Sequence, residues 1–196
     1  MIHFSNRATL PDENFVSVTV NEFNDESAEE FEKQVEKAHI YDQGIIPVKI
    51  SSHGGIIDAC IQMKSAIDRS EIPVLTYVPD RAYSCGFALL AFGTDGYRFV
   101  DPNAFTMDHQ AKTGTYGKDA EVENAIEFKR RKLDSFYNLL DKACGKQEGF
   151  FKNRWEDKNN LNNYLGAEET VEIGAADEAS RPTVKATATV DWKVVR

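Results

Sequence analysis

The chain has 196 residues, of which 41% are apolar and 28% charged, and a formal net charge of −9. That length suits one domain, spanning 1–196, with a core of its own. The acidic balance excludes nucleic acid and an anionic membrane as main partners, since both call for a basic surface.

Residues 15–20 alternate apolar and polar and predict a strand. Ser27-Ala28-Glu29-Glu30 has the form of a capping box, and Phe31, Val35 and Ala38 follow at helical spacing. A second strand over 45–50 runs into the turn Ser51-Ser52-His53-Gly54-Gly55, then a helix carrying Ile57, Cys60, Ile61, Met63 and Ile67. A third strand over 72–78 leads through Arg81-Ala82-Tyr83 to Ser84, which opens an apolar helix. Residues 97–100 and 104–108 are strand-like, and strand and helix alternate at roughly the 30-residue size of one βαβ unit. Right-handed crossovers repeated in this way wind a superhelix of parallel strands with helices outside. This is an α/β fold.

After the flexible turn Gly114 to Gly117, residues 118–144 form one long helix with a stripe of Val122, Ile126, Leu133, Phe136, Leu140 and Cys144. A helix of that length projects from a small domain unless it packs along its surface. Shorter helices follow over 147–157 and 167–173, the second stopped by Gly174. The tail 181–196 alternates again over 183–190 and predicts a strand, paired in a hairpin with 192–195. The longest apolar run, Cys85 to Phe92, is far short of the ~20 residues that span a bilayer. The N-terminus lacks the layout of a signal peptide, and Cys60, Cys85 and Cys144 have no metal-like spacing. A reduced cytoplasmic protein without metal or cofactor is the expectation.

Three places in this order carry chemistry. Ser84 sits at a helix N-terminus, where the backbone N–H of Cys85 lies beside a developing oxyanion. The competing role for Ser84 is an ordinary helix N-cap. Gly54 and Gly55 allow backbone to approach a substrate closely and offer bare N–H groups. His109 ends the strand 104–108 and is placed to take and return a proton. His53 is a rival base within the glycine turn, and Cys85 a rival nucleophile. Asp108, next to His109 on a strand, points to the opposite face, and spacing does not choose among Asp157, Asn160, Asn162 and Asp177 for a third member.

Four segments resemble the proteolytic subunit of Clp protease, a self-compartmentalised serine peptidase on a crotonase-like superhelix. Ser52-His53-Gly54-Gly55 resembles that family's Ser-Pro-Gly-Gly turn, and Tyr83-Ser84-Cys85-Gly86 its Ala-Ser-Met-Gly-type motif. His109-Gln110 matches a His-Gln pair, and residues 169–177 resemble its closing Glu-Ala-x-x-Tyr-Gly-Leu-Ile-Asp segment. The resemblance implies Ser84 as nucleophile, His109 as base, and Gly55 and Cys85 as oxyanion donors, with Gly54 shaping the turn. It implies that 118–145 is the handle by which heptameric rings stack into a homo-oligomeric chamber. It also implies a polypeptide substrate and an AAA+ ATPase as partner.

This sequence departs from the family at Asn162, which stands where the family has an aspartate, in Asn160-Leu161-Asn162-Asn163-Tyr164. Asn160-Leu161 also replaces an Asp-Arg pair, and His53 replaces a proline. Four readings therefore stand side by side. They are an active serine endopeptidase with a Ser84–His109–Asn162 triad, a catalytically weak or silent ring subunit, a phage-type head-maturation protease, and a crotonase-type acyl-CoA enzyme. An α/β-hydrolase is disfavoured, because its acid precedes its histidine and residues 85–108 hold only Asp95, Asp101 and Asp108.

Overall fold

The computed structural model describes residues 15–41, 43–112, 114, 117–157, 159 and 161–184. Its elements run β1 (Val18–Val20), α1 (Asp25–Ile40), β2 (Ile46–Ile50), α2 (Ile57–Arg69), β3 (Val74–Val78), β4 (Arg81–Tyr83) and α3 (Cys85–Ala91). They continue as β5 (Arg98–Val100), β6 (Phe105–Asp108), α4 (Asp119–Ala143), α5 (Phe150–Asp157), β7 (Asn163–Leu165) and α6 (Ala167–Glu172).

β1, β2, β3 and β5 form one all-parallel sheet in that order. Such a sheet needs cover on both faces, and its strands are accordingly apolar: Ile46, Val48, Ile50, Val74 and Val78 are fully buried. α1 and α2 pack on it through Phe31, Val35, Cys60 and Met63. A second sheet runs β4-β6-β7, with β4 and β6 parallel and β6 and β7 antiparallel. The alternation of strand and helix read from the sequence is therefore the α/β architecture expected.

Three expectations need correction. α1 begins a turn earlier than the Ser27 capping box implies. Asn24 is the cap, its side chain accepting from the Ser27 N–H at 2.8 Å while the Ser27 hydroxyl accepts from the Asn24 N–H at 3.0 Å. Ser27 is thus the third helical residue and the reciprocal partner rather than the cap. The helix expected from 147 starts only at Phe150, because Gly149 before it lies at φ +86°. The strand β7 was not anticipated; three residues are too few to show a period. The tail from 185 onward, with the expected hairpin, lies outside the described residues, and 181–184 has no regular structure.

α4 matches its predicted span closely, with Lys118 and Cys144 as its caps. Its stripe is covered only towards the C-terminal end, where Phe136, Tyr137 and Leu140 are buried. In the first half Ile126 is 38% and Phe128 60% exposed. The helix therefore projects.

Arg98 was unremarkable in the sequence and is central in the fold. It is buried, and its guanidinium donates to the carbonyls of Ala91 and Ala143, the last residues of α3 and α4, at 3.4 and 2.7 Å. It also donates through Nε to Asp177 at 3.0 Å. One side chain thus satisfies orphan carbonyls of two helices and anchors the segment after α6. Burial pushes the Asp177 pKa up, but the Arg98 guanidinium and backbone N–H groups outweigh it and hold the carboxyl below its ordinary 3.8. Arg98→Ala is expected to cost about 1–3 kcal/mol, because it leaves helix-end carbonyls and a partly buried carboxylate without their donor; urea unfolding at pH 7 checks this. A depressed carboxyl pKa stabilises above the unfolded value and loses that contribution as pH falls through the folded value. The difference between the two chains should therefore shrink below pH 3.8.

Candidate active site

The site is assembled by strand register. β2 runs on past Ile50, and Ser52 bridges to Ala82 of β4, with Ser52 N–H on the Arg81 carbonyl and Tyr83 N–H on the Ser52 carbonyl at 3.1 and 3.0 Å. The glycine turn that follows Ser52 is thereby laid beside the residue that follows Tyr83, which is Ser84. β4 and β6 are parallel with Tyr83 opposite Met107, and the Ser84 N–H donates to the Met107 carbonyl at 2.8 Å. Both strands thus end at the same edge, bringing Ser84 beside His109. β7 returns antiparallel with Asp108 opposite Asn163. One step further in that register, His109 faces Asn162.

Ser84 occupies the N-cap position of α3 but does not cap it. Its side chain makes no cap hydrogen bond, and its backbone lies at φ 56°, ψ −117° rather than in the extended conformation of an ordinary cap. A non-glycine residue held at positive φ costs about 1–3 kcal/mol. The hydroxyl instead lies 2.9 Å from His109 Nε2 and donates to it when that nitrogen is unprotonated. The N-cap role considered for Ser84 is therefore not the one it plays.

The glycine turn fits against this elbow with no room to spare. Gly54 is at φ +99°, and a Cβ there would stand 2.7 Å from Ser84 Cβ, 2.9 Å from the Tyr83 oxygen and 3.2 Å from the Cys85 nitrogen. Gly55 is pressed on the other side by Phe23, whose carbonyl oxygen would lie 2.4 Å from an added Cβ. Gly54 spends its N–H on Ser52 Oγ at 3.1 Å. The Gly55 N–H has no backbone acceptor among the described residues. Cys85 opens α3, where first-turn N–H groups lack an intrahelical acceptor. Its thiol is buried and donates to the Gly55 carbonyl at 3.3 Å, stitching the two turns together. That thiol faces the glycine turn, whereas the contact to His109 belongs to Ser84. His53 is exposed and packs its ring edge-on to Tyr83 at 5.6 Å, flanking the site.

Burial lowers the His109 pKa below its ordinary 6.5, and Lys112 lowers it further. The Asp108 charge and hydrogen bonding to Asn162 oppose this without reversing it. The imidazole is thus neutral at pH 7, the state in which it can accept a proton. Asn162 acts on the ring as an acceptor would, from an exposed position. Its amide nitrogen donates to Tyr164 Oη at 3.5 Å. Among the other third-member candidates, Asp177 is taken by Arg98, Asp157 is exposed, and Asn160 lies outside the described residues. Asp108 is buried and accepts from Trp155 Nε1 at 2.6 Å and Asn163 Nδ2 at 2.9 Å. It bears on His109 by charge alone.

Lys112 is a neighbour that sequence reasoning missed. Only its position three residues after His109 hinted at it. Lys112→Gln should raise the His109 titration midpoint, which imidazole proton NMR would read directly; an unmoved or lower midpoint would contradict this electrostatic account.

Two hollows adjoin Ser84 and His109. One is a slot of about 30 Å³ between Phe87, Phe136, Tyr137 and Trp155. The other is an open cleft of about 480 Å³ running between Gly55, Ile56 and α4. The Ala111 N–H donates to Tyr137 Oη at 3.0 Å, which fastens the segment after His109 to α4.

A family model described as Clp protease matches residues 5–182. The chain belongs to the Clp protease family. Against a relative, the ATP-dependent Clp protease proteolytic subunit 1 of Salinibacter ruber (strain DSM 13855 / M31), it is 31% identical over 133 residues. That match covers 68% of this chain and 55% of the relative, so the matched part spans about half the length of that protein. The Clp protease fold is thus the one in which strand register brings Ser84 to His109. No helix among the described residues is long and apolar enough to cross a membrane.

Proposed function

We propose that this chain is a serine peptidase in which Ser84 is the nucleophile, His109 the general base and Asn162 the third member. The observation that carries the reading is the 2.9 Å contact of an uncapped Ser84 hydroxyl with His109 Nε2. Ser84 Oγ attacks the scissile carbonyl carbon as Nε2 removes its proton. The carbonyl oxygen becomes an oxyanion received by the N–H groups of Gly55 and Cys85, with Gly54 holding the turn against Ser84. His109 then gives the proton to the leaving amine. The C–N bond breaks, and water, activated by the same imidazole, hydrolyses the acyl-serine.

The substrate is an extended polypeptide laid along the cleft beside Gly55. The exposed first half of α4, with Ile126 and Phe128, supports assembly with further copies into a chamber of stacked rings. By likeness to the ATP-dependent relative, an AAA+ ATPase is the proposed supplier of unfolded chains.

A second reading rests on a specific observation. Asn162 is exposed, and its amide nitrogen donates to Tyr164 Oη at 3.5 Å, so solvent and a second partner compete for the side chain that would orient His109; this favours a weak or silent ring subunit. Hydrolysis of an unfolded casein separates the two. Activity in the wild type that is lost in Ser84→Ala supports the peptidase, and equal, background rates in both chains support the silent subunit.

A further inference from the structure

The cleft beside Ser84 carries a charge opposite to that of the chain. The protein has a formal net charge of −9, yet the cleft is lined by Lys112, Lys129 and Lys132 against a single carboxylate, Asp58. Its remaining walls include the apolar Ile56, Ile57 and Leu133. Lys129 and Lys132 lie one turn apart on α4 and so share a face. Each is held by a contact that keeps its long side chain from roaming in solvent. Lys132 pairs with Asp58 in the first turn of α2, and Lys129 donates to the Gly114 carbonyl. Lys112 projects from the segment that carries His109, and its charge is felt at the imidazole.

We propose that this cleft is a subsite for an acidic side chain, so that the preferred peptides carry Asp or Glu beside the bond presented to Ser84. This deepens the peptidase reading and rests on it for the identity of the reacting atom. A carboxylate entering the cleft meets preplaced ammonium donors and exchanges solvation for charge-assisted hydrogen bonds. Low-dielectric walls on one side focus the attraction. Lysines suit a flexible carboxylate because each is a compact charge with three rotatable donors, without the fixed fork of arginine. The same lysines repel Lys or Arg at that position, so selectivity has an attractive and a repulsive part. Apolar walls accommodate the methylenes, which favours Glu over Asp.

The test is made by binding, so that it does not depend on turnover. Three dye-labelled peptides, identical except for Glu, Gln or Lys at a central position, are titrated by fluorescence anisotropy into the full chain carrying Ser84→Ala. The Glu peptide should bind at least about fivefold more tightly than the Gln peptide at low salt, with Lys the weakest. The preference should shrink as salt rises and reverse in a background carrying Lys112→Glu and Lys129→Glu. Lys112→Gln alone, at an exposed position, should reduce it without threatening the fold. Equal affinities for the Glu and Gln peptides, or no binding of any of the three, would overturn the inference. The peptidase reading is judged separately, by the chemistry of Ser84.

Discussion

Asn162→Asp is expected to accelerate acylation of Ser84. An amide can present either its oxygen or its NH2 group to the imidazole, and only the oxygen favours the tautomer that leaves Nε2 free for Ser84. A carboxylate accepts whichever way it turns. It also stabilises the imidazolium that forms as Ser84 attacks. In a buried triad the exchange of Asp for Asn alters the rate by about 10⁴. Here residue 162 is exposed, so water screens the new charge and a gain of about 10- to 100-fold is expected. The added charge also raises the His109 pKa from its lowered position. The base must be unprotonated, so the acid limb of the rate profile moves to higher pH, and the gain narrows as pH falls through that limb. The second-order rate constant for fluorophosphonate modification, followed from pH 5 to 9, reads both effects. No acceleration at pH 8 would remove Asn162 from the triad.

Gly54→Ala is expected to cripple the site and weaken the fold. Its new methyl group would meet Ser84 Cβ, the Tyr83 carbonyl oxygen and the Cys85 nitrogen at 2.7–3.2 Å. Two of these are backbone atoms that cannot swing aside. The residue would also have to hold φ +99°, which L side chains rarely adopt. The clash is relieved only by separating the glycine turn from the α3 N-terminus. That pulls the proposed Gly55 and Cys85 donors apart, and loss of one oxyanion donor costs about 10²–10³ in rate. Gly96→Ala is the control, since Gly96 is at φ +81° with nothing within 4 Å of an added Cβ. It should lose stability through backbone strain alone, with activity kept. Thermal unfolding and peptidase assays on both variants make the comparison. Activity in Gly54→Ala within twofold of wild type would show that the tight fit against Ser84 is not needed.

The parts of the fold that were legible in the sequence are those written in short periods. The apolar strand 46–50, the α2 stripe of Cys60 and Met63, and the long α4 follow from residues that sit close together in the chain. β7 was not legible, because Asn163-Tyr164-Leu165 is too short to show alternation, and its place is set by pairing with β6. Arg98 was hidden for a related reason. Its partners Ala143, Gly174 and Asp177 are far along the chain, and a charged residue in a strand reads as exposed until those carbonyls are seen. Ser84 and His109 could be singled out from their positions at element ends. The choice between a cap and a nucleophile could not be made there, since both roles place serine before a helix. Backbone dihedrals and the partner of the hydroxyl exclude the ordinary cap and support the nucleophile proposed here. The lysine-lined cleft joins residues from four segments and has no linear signature.

The claim at the centre of this account is that Ser84 is an activated nucleophile, and covalent labelling tests it most directly. The full chain is treated with a serine-directed fluorophosphonate and examined by intact mass beside Ser84→Ala. One adduct per wild-type chain is expected, mapped by peptide analysis to Ser84, and none in the variant. No adduct on wild type or on Asn162→Asp, or equal labelling of Ser84→Ala, would contradict it.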